Sequence, residues 1–111
     1  MKHLLFELEN CPFSLLDDEV LIEGSLIGAS YAAKATLLHH HVHRFEPQGV
    51  TGFALLAESH ISIHTWPEEF RAVCDVFTCG DHTLPDEAMA YIQNDLKPQR
   101  CKTTVLFRYS L

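Results

Sequence analysis

Positive charge is scarce in this chain: eight Lys and Arg stand against fifteen Asp and Glu among 111 residues, a formal net charge of −7. No basic run is present to hold phosphates, so nucleic acid is not an expected partner. Long apolar runs are missing too. The stretch Met1-Lys2-His3-Leu4-Leu5-Phe6 meets Glu7 and Glu9 before a signal-type apolar region forms, so the expectation is no membrane association and a cytoplasmic location. Gly and Pro number only five each, and there is no repeat, linker or low-complexity stretch, which leaves one domain spanning residues 1–111. The four cysteines, Cys11, Cys74, Cys79 and Cys101, form no C-x-x-C pair and read as reduced thiols. Apolar residues make up 47% of the chain, enough for one core. A domain of this size buries roughly 65% of its unfolded surface, so it folds alone and gains from a further interface; a dimer is expected.

Hydrophobic patterning predicts strand, helix, several strands, helix, strand. His3–Leu8 reads as a first strand closed by Asn10-Cys11-Pro12. A helix is predicted near 14–33, with Asp17, Asp18 and Glu19 at its positive end and Leu16, Val20, Ile27 and Tyr31 as its apolar stripe. Ala35–Phe45 and Val50–Ala57 form a hairpin candidate about the turn Pro47-Gln48-Gly49. In Glu58–His64, Ile61 and Ile63 fall on one face and His60, Ser62 and His64 on the other, and Pro67 ends the strand. Ala72–Cys79 reads as a buried strand followed by Gly80-Asp81. Pro85, Asp86 and Glu87 open a helix with the stripe Ala88, Met89, Ile92 and Leu96, which Pro98 stops, and Lys102–Tyr109 is the last strand. The expected class is α+β, a two-layer α/β sandwich with a mainly antiparallel sheet, helices on one face, and sheet packed against sheet in a dimer.

The densest polar cluster is Glu58-Ser59-His60-Ile61-Ser62-Ile63-His64-Thr65-Trp66-Pro67-Glu68. A Ser, a His and a carboxylate could form a hydrolase triad, but no G-x-S-x-G elbow surrounds Ser59. Alternating His could share Zn²⁺ only between neighbours, since alternate strand residues lie about 6.6 Å apart. A solvated strand face is the plain reading of the same residues. The run His39-His40-His41-Val42-His43 puts His39, His41 and His43 on one face with Phe45; it reads as an exposed or interface strand that gains charge below about pH 6.5, and no metal site is expected.

The segment Ala57-Glu58-Ser59-His60-Ile61-Ser62-Ile63-His64-Thr65-Trp66-Pro67-Glu68, followed by Asp75-Val76-Phe77-Thr78-Cys79-Gly80, resembles the pyruvoyl-dependent S-adenosylmethionine decarboxylases of the short prokaryotic class. The likeness continues upstream through His43-Arg44-Phe45-Glu46-Pro47-Gln48-Gly49-Val50-Thr51-Gly52 and more loosely over nearly the whole chain. It implies that the chain cuts itself between Glu58 and Ser59 into a β chain, 1–58, and an α chain, 59–111, and that Ser59 becomes a covalent pyruvoyl cofactor. That group would take the substrate amine as a Schiff base and accept electrons as CO₂ leaves, the task of PLP elsewhere. The product would be the aminopropyl donor for spermidine synthesis. By the same resemblance His64 is the base of self-processing, Cys79 the proton donor after decarboxylation, and Thr51 a hydroxyl assisting processing. Phe45 would stack on adenine, Glu68 would hold the ribose hydroxyls, and Glu58 would lie beside the substrate. Taken singly, each has a plainer reading: Phe45 as core, Thr51 as a turn residue, Glu68 as a solvated carboxylate, Cys79 as a small buried group. Cys11, Cys74 and Cys101 read as packing.

One departure from the family pattern is Arg71, in Glu69-Phe70-Arg71-Ala72, where an aromatic-Gly-aromatic-Ala segment is usual. Rival readings are a pyruvoyl-dependent L-ornithine or L-arginine decarboxylase on the same scaffold, a processing-dead regulatory homologue, and a His-rich metal-binding module. Strand geometry adds an expectation of its own. Ser59 and His64 are five residues apart, on opposite faces of a continuous strand and about 16 Å apart along it. A two-fold dimer would let His64, Phe45, Thr51 and Glu68 of one protomer meet Ser59, Glu58 and Cys79 of its partner, giving two shared sites with S-adenosylmethionine as substrate.

Overall fold

Period-two alternation builds the sheet. In the computed structural model, which describes residues 1–109, the strands are β1 (Lys2–Glu9), β2 (Leu37–Arg44), β3 (Val50–Leu56), β4 (Ser59–Trp66), β5 (Arg71–Thr78) and β6 (Arg100–Phe107). They form one six-stranded sheet in the order β2-β3-β4-β5-β1-β6, and every described pairing is antiparallel. The helices α1 (Phe13–Leu16), α2 (Glu19–Ala32) and α3 (Pro85–Leu96) meet the sheet on one side. The expected two-layer α+β architecture is present.

The core lies between the layers. Leu4, Phe6 and Leu8 of β1, Ile61 and Ile63 of β4, and Val76 of β5 are buried with Ile22, Leu26 and Ala29 of α2 and Ile92 and Leu96 of α3. Each such large side chain contributes about 1.5–3 kcal/mol on leaving water. Gly52 on β3 permits close approach of α2: a Cβ there would stand 2.9 Å from Leu26 Cδ1 and 2.7 Å from Val42 Cγ1. The intervening positions, among them His60, Ser62, His64 and Trp66 of β4, face away from the helices. That open face carries exposed Phe53, Leu55, Trp66 and Leu106, each 40–45% accessible.

Three expectations are corrected. The single helix near 14–33 is two helices, because Asp18 leaves helical geometry to accept from the Leu21 N–H at 3.0 Å as the N-cap of α2. Asp17 turns instead to the β2–β3 loop, taking the Gly49 N–H at 3.0 Å and Arg44 Nη2 at 2.9 Å. The stripe is also different: Val20 and Tyr31 are 78% and 67% exposed, whereas Ile22, Ser25, Leu26, Ala29 and Ser30 are buried. Small residues win the inner face because they let the helix sit close to the sheet and to α3. Finally, Ala72–Cys79 is buried on one face only, with Asp75 and Phe77 on the open side.

Candidate active site

The β3–β4 hairpin makes the tightest turn next to the cluster. Leu56 pairs with Ser59, so Ala57 and Glu58 alone connect the strands. Ser59 leaves this turn with φ of +145°, a conformation that costs a non-glycine residue on the order of 1–3 kcal/mol. The expectation that Ser59 and His64 occupy opposite faces assumed a regular strand; this twist replaces simple alternation at Ser59, whose Oγ lies 3.3 Å from Nδ1 of His60, a neighbour on the open face.

The Glu58 carbonyl oxygen is held from one direction by two donors, the Cys79 N–H at 3.0 Å and the Cys79 Sγ–H at 3.0 Å. Donors so placed stabilise negative charge developing on that oxygen. The Glu58 carboxylate is engaged elsewhere, accepting from the Thr36 N–H at 2.9 Å, Thr36 Oγ1 at 3.2 Å and His82 Nε2 at 3.1 Å. The Thr36 amide, with smaller help from His82, keeps its pKa below the usual value despite desolvation. These bonds fix the hairpin turn to the segment before β2 and to the loop after β5. Cys79 also borders a cavity of about 500 Å³ with Gly80, Asp81 and Leu84.

At the other end of β4, Phe45, Thr51, His64 and Glu68 converge on a second cavity of about 310 Å³, beside Trp66. His64 stands opposite Thr51 in the β3–β4 ladder, and Nδ1 is 3.2 Å from the Thr51 hydroxyl. Phe45 packs edge-on to His43 at 4.6 Å and is 47% exposed, not core. Buried Thr65 locks this end by accepting from the Val50 N–H and donating to the Leu16 carbonyl, both at 2.8 Å. The seven residues singled out in the sequence thus fall into two groups, Glu58, Ser59 and Cys79 in one and Phe45, Thr51, His64 and Glu68 in the other. β4 runs unbroken between them, so Ser59 and His64 of one chain stand about 16 Å apart.

Sequence reasoning missed Asp75, His3, Thr36 and His82. Asp75 had a signal: it is the one carboxylate inside the apolar strand 72–79. His3 Nε2, His60 Nε2 and an Asp75 oxygen lie within 4.8 Å of one another, close enough to share a divalent cation. The hydrogen bonds among them satisfy the trio without one: both Nε2 atoms lie 2.8 Å from Asp75 Oδ2. The other thiols match the packing role. Burial pushes the Cys11 thiol up to about 11 and raises that of Cys74, while Cys101 accepts from Gln93 Nε2 at 2.8 Å.

A family model described as S-adenosylmethionine decarboxylase matches residues 2–109. An S-adenosylmethionine decarboxylase proenzyme of Synechococcus sp. (strain WH7803) is 57% identical over 96 residues, covering 86% of this chain and 75% of that protein. One from Methanococcus vannielii is 52% identical over 99 residues, covering 89% and 81%. The crystal structure of the adenosylmethionine decarboxylase from Aquifex aeolicus superposes with a TM-score of 0.87 at 39% identity, over 99% of this chain and 95% of that one. A Trypanosoma brucei AdoMetDC-delta26 monomer shares the fold at a TM-score of 0.70 and 18% identity, over 94% of this chain and 45% of the other. With its whole described length matched and half its residues shared with these proenzymes, the chain belongs to the S-adenosylmethionine decarboxylase family.

Proposed function

We propose that Glu58–Ser59 is the peptide bond this S-adenosylmethionine decarboxylase breaks in its own backbone, leaving residues 1–58 and 59–111, with the pyruvoyl group on what was Ser59. The reading is carried by the Glu58 carbonyl, which meets two Cys79 donors at 3.0 Å, directly before a serine at φ +145°. Attack by the Ser59 hydroxyl on that carbonyl turns the amide into an ester and relieves the strained backbone. Removal of the Ser59 Cα proton then expels the Glu58 carboxylate, and hydrolysis leaves the ketone. The residues around Ser59 fit the group, which supplies an electron sink as CO₂ departs. The decarboxylated product is an aminopropyl donor of polyamine biosynthesis.

His64 removes the Cα proton, with Thr51 holding its ring, and Cys79 returns a proton to the substrate carbon. Phe45 stacks on the adenine of S-adenosylmethionine and Glu68 accepts from its ribose hydroxyls; Glu58 lines the same site. These groups meet in a homodimer with two shared sites. Supporting this are the two clusters at opposite ends of β4 and the exposed Phe53, Leu55, Trp66 and Leu106 on the face free of helices. Among the described residues no helix is long and apolar enough to cross a membrane. The four free cysteines are consistent with work in the reducing cytoplasm, which belongs to the same proposal.

Denaturing mass spectrometry tests the central step. Wild-type protein held near neutral pH yields fragments 1–58 and 59–111, the second with a blocked N-terminus, while Ser59→Ala stays whole. A folded wild-type chain that keeps one full-length mass for days and does not react with borohydride plus amine contradicts the reading.

A further inference from the structure

We infer that His60 is the base that takes the Ser59 hydroxyl proton when the chain cuts itself, with Asp75 and His3 as positioning residues behind it. The inference rests on Ser59 being the attacking residue, and adds a group that neither the sequence reading nor the family match singles out. Ser59 Oγ is 3.3 Å from His60 Nδ1, and His60 Nε2 is 2.8 Å from Asp75 Oδ2. An ionised carboxylate only accepts, so Nε2 carries the ring hydrogen and Nδ1 offers its lone pair to the hydroxyl. The arrangement has the roles of a Ser-His-Asp set without that set's usual turn.

The support behind His60 extends across three strands. Asp75 Oδ2 also takes the Nε2–H of His3 at 2.8 Å, and Arg108 Nη1 donates to His3 Nδ1 at 3.2 Å, which fixes His3 as the neutral Nε2–H tautomer. The Ser62 hydroxyl donates to Asp75 Oδ1. Burial acts to raise the Asp75 pKa, but hydrogen bonds from Ser62, His3 and His60 together hold it below its ordinary value. The strand neighbours of His60 in register, Leu55 and Phe77, are apolar. His64 is occupied with Thr51, and His82 faces the Glu58 carboxylate. Among the described residues, the imidazole that meets the Ser59 hydroxyl is that of His60.

The step balances without a co-reactant. The Ser59 O–H proton passes to His60 Nδ1 as Oγ bonds to the Glu58 carbonyl carbon, whose oxyanion lies under the two Cys79 donors. The C–N bond then breaks, His60 returns the proton to the Ser59 nitrogen, and an ester with a free amine remains. Loss of the Cα proton is a separate, later event assigned to His64.

Cell-free translation with a short isotopic pulse supplies uncleaved precursor as the starting species. His60→Ala and His60→Gln should cut about 10²-fold more slowly than wild type, the size of a positioned general base. Gln keeps a donor for Asp75 and guards against a folding defect, with folding of both variants checked by circular dichroism against Ser59→Ala. The lagging precursor should resist hydroxylamine, because its bond is still an amide, whereas His64→Ala should accumulate a hydroxylamine-cleavable ester. Added imidazole should speed His60→Ala at least tenfold, which a structural role would not predict. Asp75→Asn should slow cutting less than His60→Ala and gain little from imidazole. Cutting of His60→Gln within threefold of wild type, or ester accumulating in the His60 variants, overturns the inference while leaving Ser59 in place. A wild-type precursor that never cuts overturns the reading of Ser59 and the inference with it.

Discussion

Cys79 grips the Glu58 carbonyl oxygen twice, through its amide and its thiol, each at 3.0 Å. One residue therefore serves the bond before cleavage and, in the proposed mechanism, the substrate carbon afterwards. Cys79→Ala keeps the amide donor and loses the thiol. Self-cleavage should slow by about tenfold, the size of one neutral hydrogen bond. Decarboxylation should fall about 10²-fold, and a misplaced proton should leave an amine on the α chain. Mass spectrometry of the fragments beside labelled CO₂ release separates the two; an unchanged turnover with no modified α chain removes Cys79 from the second role.

Two chains are needed for one site if the 16 Å separation along β4 has the consequence proposed above. Co-expressed Ser59→Ala and His64→Ala chains should then regain cleavage and activity at one site of each mixed dimer, since that site takes its serine and its histidine from intact positions. Neither variant should work alone. Verified mixed dimers that stay whole, while wild type paired with the double variant works, would place both residues in the same chain.

Specificity should follow the cavity of about 310 Å³ lined by Phe45 and Glu68. Phe45→Ala and Glu68→Gln are each expected to raise KM for S-adenosylmethionine about tenfold, from lost stacking or lost ribose hydrogen bonds of roughly 1–3 kcal/mol. CO₂ released from S-adenosylmethionine should exceed that from ornithine or arginine at equal concentration. Preference for a basic amino acid would sink this assignment and spare the self-cleavage.

Acid should loosen the sheet through Asp75. Its folded pKa lies below the ordinary value of 3.8, so the contribution is fully present above that value and is lost as pH falls through the folded pKa. In the uncleaved Ser59→Ala background, adding Asp75→Asn should lower the urea midpoint at pH 7 and shrink the further drop between about pH 4 and pH 2. An equal acid-induced drop in both chains would assign the loss to other carboxylates.

Local pattern made much of this molecule legible. The alternation in Ile61-Ser62-Ile63-His64 depends on the pleat alone, and the two faces are as read. Pro85 with Asp86 and Glu87 marks the start of α3, and Ala88, Ile92 and Leu96 are buried as read. The α2 stripe failed because Glu19–Ala32 has apolar or small residues on every side, leaving the choice of inner face to the sheet beneath. The break at Asp17-Asp18 failed because Asp17 answers to Gly49, 32 residues away.

Short-range order determined the strands and the α3 helix, and the run from Ala57 to Glu68 already marked where chemistry gathers, because strand faces, caps and motifs depend on neighbours in the chain. Tertiary structure decided who meets whom. It set Cys79 on the Glu58 carbonyl, 21 residues back, and His3 on Asp75, 72 residues ahead. It also parted Ser59 from His64 by the length of a rigid strand. Such pairings follow from strand order and register, which the whole core fixes when it excludes water; no local window of sequence contains them.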